Sequence, residues 1–221
     1  MNDKAAEMTT AIYRLRSRKG HLSQVLKGSP FGPPVGGGAH RYNQAFGLSL
    51  PIMFTLATSS NAPDYPMLAR QLASVLEDER DLTANASQFS AFIYDTIADL
   101  NWAGFYLVRA AKKAAADGQQ ELLVGPFQGK VACARIAFGR GVCGTSAAER
   151  RTIVVPDVHA FPGHIACDSA SNSEIVMPVI KNGELFGVFD IDSPSLDRFS
   201  EGDRQGLEAL LAVLVEATDF K

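Results

Sequence analysis

Three cysteines, Cys133, Cys143 and Cys167, fall within one central stretch of a 221-residue chain. A secreted, disulfide-stapled domain favours an even count in a shorter chain. These thiols therefore point to a reducing compartment, where cysteine serves as a core residue, a metal ligand or a redox actor. Cys167 lies in Phe161-Pro-Gly-His-Ile-Ala-Cys-Asp-Ser-Ala-Ser-Asn-Ser-Glu174, which reads as a polar loop. Cysteine is ordinarily a buried packing residue, so one in a Ser/Asn-rich loop is a candidate reactive thiol; the plainer reading is a chance loop cysteine. Cys143, in Gly-Arg-Gly-Val-Cys-Gly-Thr-Ser, reads as the start of a helix, where the dipole and free N–H groups lower a thiol pKa. Its plainer reading is a small residue where a Gly-rich turn packs on a sheet. Cys133 sits between Ala132 and Ala134 in an expected strand, so core packing is its default, and any redox role needs a second cysteine within reach.

Acids form the second group. In Phe186-Gly-Val-Phe-Asp-Ile-Asp192 side chains alternate, so Phe186, Val188, Asp190 and Asp192 are expected on one face. Either the strand runs out into solvent, or the acids face a pocket where they meet a cation or hold a proton. Glu174 precedes the partner strand, and its place depends on register. An odd three-residue loop (Lys181 to Gly183) sets it opposite Asp190; a two-residue Asn-Gly turn sets Ile175 there and sends Glu174 to the other face. Cys133, Cys143, Cys167, His159 and His164 could ligate a metal, but no short Cys-x-x-Cys or His-x-x-x-His spacing occurs, and no metal is expected. Dinucleotide, P-loop and Gly-x-Ser-x-Gly signatures are absent from the sequence.

The elements that must position these groups begin after Pro66. Met67, Leu68, Leu72, Val75 and Leu76 recur at helical spacing, and a second helix spans about Ala84 to Leu100 with Phe89, Phe92, Ile93, Ile97 and Leu100 on one stripe. Trp102 to Arg109 is apolar on both alternations, as a central strand would be. Glu121 to Phe127 and Val131 to Phe138 read as strands, Cys143 to Arg150 as a short helix, Thr152 to Val155 as a strand, and Pro156 to Ser173 as a long loop. Ile175 to Ile180 and Leu185 to Ile191 form a hairpin around Asn182-Gly183. Ser200, with Asp203 three residues on, caps a final helix striped by Leu207, Leu210, Leu211 and Leu214. Helices on a mostly antiparallel sheet give an α+β layer arrangement.

Residues 1–60 carry the Gly/Pro-rich stretch Gly28 to Gly38 and little periodicity, so they are expected to be an extension and linker before one domain at 61–221. A hydrophobic fraction of 46% and a charged fraction of 20% suit a soluble globular protein. A net charge of −3 leaves no footprint for nucleic acid, and the cluster Arg14, Arg16, Arg18 and Lys19 reads as a solvated face. No apolar run reaches the length of a membrane span, and no secretory signal is expected. Ala11 to Leu26 is Arg-rich and free of acids, the composition of a mitochondrial presequence; a cytoplasmic location is expected ahead of it.

Taken in order, Asn101-Trp-Ala-Gly-Phe-Tyr-Leu107, Gly125-Pro-Phe-Gln-Gly129, Gly139-Arg-Gly-Val-Cys-Gly-Thr145, Val154-Val-Pro-Asp-Val158, His164-Ile-Ala-Cys-Asp168, Ser173-Glu-Ile-Val176 and Gly187-Val-Phe-Asp-Ile-Asp192 resemble successive blocks of the free methionine-R-sulfoxide reductases, over about residues 65–218. The resemblance implies a GAF fold and a reductase of the free amino acid with no bound cofactor, linked to NADPH through thioredoxin. It implies Cys167 as nucleophile, Cys133 as resolving thiol and Cys143 as an auxiliary cysteine, although the helix-terminus argument favours Cys143 as the activated thiol. Glu174, Asp190 and Asp192 match the family's pocket acids, Trp102 and Tyr106 its aromatic wall. A homodimer is a further implication. The first 60 residues have no counterpart in the minimal domain, and Lys112 to Gln120 looks like a lengthened connection. A non-enzymatic GAF sensor is the alternative, and a partner-binding protein using the Gly/Pro-rich segment is a third reading.

Overall fold

The computed structural model describes residues 62–112, 119–163 and 169–220. The extension expected over 1–60 lies outside them, as does most of the connection from Lys112 to Gln120. Residues Thr55–Lys221 form one compact unit, to which everything below refers.

Two helices come first. In α1, Tyr65–Val75, Asp64 caps the N-terminus by accepting from the Met67 amide. In α2, Leu82–Thr96, Asp81 does the same for Ala84. The second helix is shorter than its stripe suggests: Ile97 leaves helical geometry, and Asp99, at φ 66°, turns the chain toward the sheet. Strands β1 (Trp102–Ala110), β2 (Gln120–Gly129) and β3 (Arg135–Ala137) follow, then helix α3 (Gly141–Glu149) and strand β4 (Ile153–Val155). A 3-10 turn at Val158–Ala160 lies within the expected long loop, and β5 (Ser173–Lys181), β6 (Glu184–Ser193) and α4 (Glu201–Ala217) complete the order.

The sheet runs β3-β2-β1-β6-β5-β4, with every pairing antiparallel. The protein is therefore α+β, as its pattern predicts. Residues 131–134, read as strand from their alternation, are not: only Arg135–Ala137 pair with β2, so Cys133 precedes the strand instead of lying in it.

Two apolar clusters occupy opposite faces of the sheet. On one, α1, α2 and α4 bring Leu72, Phe89, Ile93 and Leu210 onto Phe105, Ile175, Met177, Phe189 and Ile191, all at most 1% exposed. Each such side chain contributes about 1.5–3 kcal/mol on leaving water. The capping box of α4 is present in full: Ser200 and Asp203 each accept from the other's amide. On the opposite face α3 packs with Trp102, Tyr106, Leu122, Ile136 and Val176. The candidate functional residues lie on this second face.

Candidate active site

Strand β1 supplies the aromatic wall. Trp102 stacks between Tyr106, with ring centroids 5.7 Å apart, and Phe127 of β2, at 5.3 Å. Gly104 lies between the first two, and a Cβ there would come within 2.3 Å of the Phe127 Cβ. Only glycine lets the indole lie flat. Its Nε1 donates to the Lys130 carbonyl at 3.1 Å.

Strand β6, paired on both sides, sets the acids against that wall. Asp190 lies opposite Gly104 and Asp192 opposite Trp102; on the other flank Glu174 lies opposite Asp192 and Val176 opposite Asp190. Neither register weighed from the sequence is the one adopted. The hairpin does turn through two residues, with φ 53° at Asn182 and 80° at Gly183, so Lys181 pairs with Glu184 and Ile180 with Leu185. The pairing then slips by one, Val179 meeting Gly187. This β-bulge leaves Phe186 as an extra residue. It returns Glu174 to the face of Asp190 and Asp192, which an unbroken two-residue hairpin would deny it. The same slip removes Phe186 from the expected row: its ring packs with the helix-face cluster, 4.7 Å from Phe220.

Helix α3 brings the thiol. Positive φ at Gly139 and Gly141 swings the chain off β3, and Gly144 permits contact, since a Cβ there would sit 2.3 Å from the Ala137 carbonyl oxygen. Cys143, the third residue of α3, is thereby buried with its Sγ 4.0 Å from Glu174 Oε1. The helix start is where the sequence places it, but the expected lowering of the thiol pKa is overturned. Burial, followed by the charges of Asp190 and Glu174, pushes the Cys143 thiol well above its ordinary value.

The acids are shifted in the same sense. Glu174 and Asp190, each 6% exposed, bring carboxyl oxygens within 4.8 Å of one another. Burial, then the neighbouring charges of Asp190 and Asp192, raises Glu174 well above the usual carboxylate range. Burial raises Asp190 to about 6, against the lowering effect of hydrogen bonds with Cys143 and Glu174. Asp190 Oδ1 is buried without a hydrogen-bond partner among the described residues, although buried oxygens are normally satisfied.

One pocket gathers Trp102, Tyr106, Cys143, Glu174, Asp190 and Asp192. Cys133 is half-buried beside the apolar cluster of this face and is disulfide-bonded, whereas Cys143 is free. Cys167 and His164 lie outside the described residues. Among the described residues, the Cys/His ligand set weighed from the sequence forms no cluster: His159 Nε2 lies 3.1 Å from Asn172 Oδ1 in an exposed contact. A different trio, Cys143, Glu174 and Asp190, places one potential ligand atom from each within 4.8 Å of the others. Phe127, Arg140 and Ser171 went unnoticed as site residues. Phe127 belongs to the aromatic stack, and Arg140 and Ser171 line the pocket; Arg140 could have been found from its place between the two glycines of a helix-starting turn. Chemically the pocket offers acids that keep protons near neutrality, a partner for a cation, and a flat aromatic surface for an apolar or sulfur-bearing group.

Known proteins resemble this arrangement. A GAF domain family model matches residues 83–217. Protein YtsP of Bacillus subtilis is 49% identical over 154 residues, covering 70% of this chain and 90% of its own. The free methionine-R-sulfoxide reductase of Escherichia coli is 44% identical over 160 residues, covering 71% and 92%. Among solved structures, the free methionine-R-sulfoxide reductase of Neisseria meningitidis in complex with its substrate is 41% identical, covers 74% of this chain and 95% of that one, and superposes with a TM-score of 0.64.

Proposed function

The chain belongs to the GAF-domain family of free methionine-R-sulfoxide reductases, and from that premise we propose how its own residues carry out the reduction of free L-methionine-R-sulfoxide to L-methionine. The enzyme is an oxidoreductase of this free amino acid. The observation that carries the reading is the buried pair Glu174 and Asp190 beside the Trp102–Tyr106 wall, with both carboxyl groups raised toward neutrality.

The Cys167 thiolate attacks the sulfoxide sulfur. Oxygen leaves sulfur readily only once protonated, and Glu174, coupled to Asp190, is the acid that supplies the proton. The protonated oxygen then passes from the substrate sulfur to Cys167 Sγ as the new S–S bond breaks, so methionine departs reduced by two electrons and Cys167 is oxidised to a sulfenic acid. The Cys133 thiol condenses with it, expelling water and leaving a disulfide. Thioredoxin, charged by its NADPH-linked reductase, then reopens the disulfide by exchange. Trp102 and Tyr106 receive the S-methyl end, and Asp190 and Asp192 hold the ammonium.

Two facts support this division of labour among the cysteines. Cys133 is already the disulfide-bonded one. Cys143 is free, buried and pushed toward its neutral form, a poor state for a nucleophile, so it is auxiliary. A reducing cytoplasm and a homodimer complete the reading by family resemblance. Among the described residues, no helix is long and apolar enough to cross a membrane.

The test is thioredoxin-coupled NADPH oxidation with free L-methionine-R-sulfoxide, its S epimer and a peptide-bound sulfoxide. Turnover of the free R form alone, lost in Cys167→Ser by about three orders of magnitude or more, is the expected outcome. Ligand binding without turnover of any of the three would leave a small-molecule sensor.

A further inference from the structure

The reduction leaves Cys143 without a chemical task, although its sulfur lies beside two of the acids that carry the reaction. We propose that Cys143, Glu174 and Asp190 form a binding site for a thiophilic divalent cation of the zinc class, and that the occupied site excludes the amino-acid substrate. The metal site stands on these side chains alone; its consequence for the substrate rests on the reductase reading.

Ligand geometry comes first. One donor atom from each of the three residues lies within 4.8 Å of the other two, and Cys143 Sγ stands 4.0 Å from Glu174 Oε1. Zinc–sulfur and zinc–oxygen bonds in a tetrahedral site put ligand atoms about 3.4–3.6 Å apart, so small side-chain rotations close the trio on one ion. The donors come from three elements far apart in sequence, α3, β5 and β6, which is why no short spacing announces the site. Their backbones are fixed. Asp190 lies in a strand paired on both sides, opposite Gly104 and Val176, and Gly144 lets α3 close on the Ala137 carbonyl.

Burial separates this trio from an ordinary acidic surface patch. Cys143 is 4% exposed, no more than the two acids beside it. Asp190 Oδ1 has no hydrogen-bond partner among the described residues, and the pocket it lines is the one that Cys143 and Glu174 line. A buried carboxylate oxygen without a donor calls for a cation. The substrate ammonium answers an oxygen with a hydrogen bond, but it makes poor use of sulfur. A thiolate with two carboxylates suits zinc, whose borderline softness accepts both donor types and leaves a fourth place for water. Calcium and magnesium want more oxygens and no sulfur. As the metal–sulfur bond forms, the thiol proton passes to solvent. The bound ion takes the acids away from the ammonium, so metal and methionine sulfoxide compete.

The experiment titrates Co2+, a spectroscopic stand-in for zinc, into full-length protein carrying Cys133→Ser and Cys167→Ser, in which Cys143 is the one thiol left. One equivalent should bind with a sulfur-to-cobalt charge-transfer band, and Zn2+ should displace it. Cys143→Ala in that background should abolish the band. Glu174→Gln, which keeps the thiol and the side-chain shape, should weaken binding by at least about tenfold, and it decides the matter should Cys143→Ala fail to fold. L-methionine-R-sulfoxide should raise the apparent Kd for Co2+ in proportion to its concentration. A spectrum without the sulfur band, more than one equivalent bound, or equal affinity in Glu174→Gln would each overturn the site. Full metal affinity in saturating sulfoxide would overturn the exclusion. Calorimetric titration of the sulfoxide into the metal-free protein keeps the two readings apart: no binding there would sink the reductase reading and leave the metal site standing on its band and stoichiometry.

Discussion

Along β1, β5 and β6 neighbouring residues live in different chemistries. Phe105, Met177 and Phe189 look toward α1, α2 and α4, where Phe189 meets Phe89 at 4.7 Å and Phe105 at 4.6 Å between ring centroids within an apolar cluster. Trp102, Glu174 and Asp190, an odd number of residues away along the same strands, look toward α3 into a pocket that buries two carboxyl groups and a thiol. The first face yields folding free energy. The second costs some, since buried acids give up solvation and one oxygen lacks a partner. A single sheet can hold both because the side-chain period of two separates them, and the packed face anchors the strands that carry the buried acids on their other side.

That contrast can be broken from either side. The largest effect is expected at Asp190→Asn, which keeps the shape and removes the charge: kcat/KM should fall by about 10²–10⁴, while urea denaturation at pH 7 shows stability unchanged or higher by about 1–2 kcal/mol. Next, Phe189→Ala, its immediate neighbour facing the other way, should cost about 3–5 kcal/mol in the same denaturation experiment and leave the turnover of the folded fraction close to wild type. A large stability loss at Asp190 with activity kept would refute the division between the faces.

The pH dependence of stability sharpens it. Asp190 has its folded pKa raised to about 6 from an ordinary 3.8, so the native state binds more protons there than the unfolded chain. The stability it contributes is full below about pH 4 and is lost as pH rises through about 6. Glu174 acts in the same sense, from 4.5 upward. The gap between Asp190→Asn and wild type should therefore widen across that interval and level off above it, as denaturation midpoints in a pH series would show. The smallest effect is expected at Asn182→Ala, where a non-glycine residue at φ 53° loses its tolerance for the left-handed region. About 1 kcal/mol should disappear, with activity per folded molecule unaltered.

The sequence reveals most of this fold and only part of the site. Stripes such as Leu207, Leu210, Leu211 and Leu214 declare their burial through spacing alone, and Asn182-Gly183 declares its turn, because these signals are local. The strand read into residues 131–134 fails because alternation describes a side-chain pattern and not a partner; at the sheet's edge only Arg135–Ala137 find one. The thiol of Cys143 fails similarly. Its helix position is local and legible, while the acids that set its protonation arrive from β5 and β6. The bulge at Phe186 is hidden too, being fixed by the match of β6 to both β1 and β5 at once. Gly104 and Phe127 show their purpose only when the indole lies between them.

The slip at Phe186 also constrains how the gene can change length. A one-codon deletion that removed the extra residue would bring Ile180–Leu185 and Val179–Gly187 into consecutive register and leave every later pair as it is, with the acids still on the pocket side. A one-codon deletion between Gly187 and Asp190 with the slip retained would instead turn the acids to the oily side and the oils to the pocket. A relative without the slip should therefore be one residue shorter between its hairpin turn and its acids.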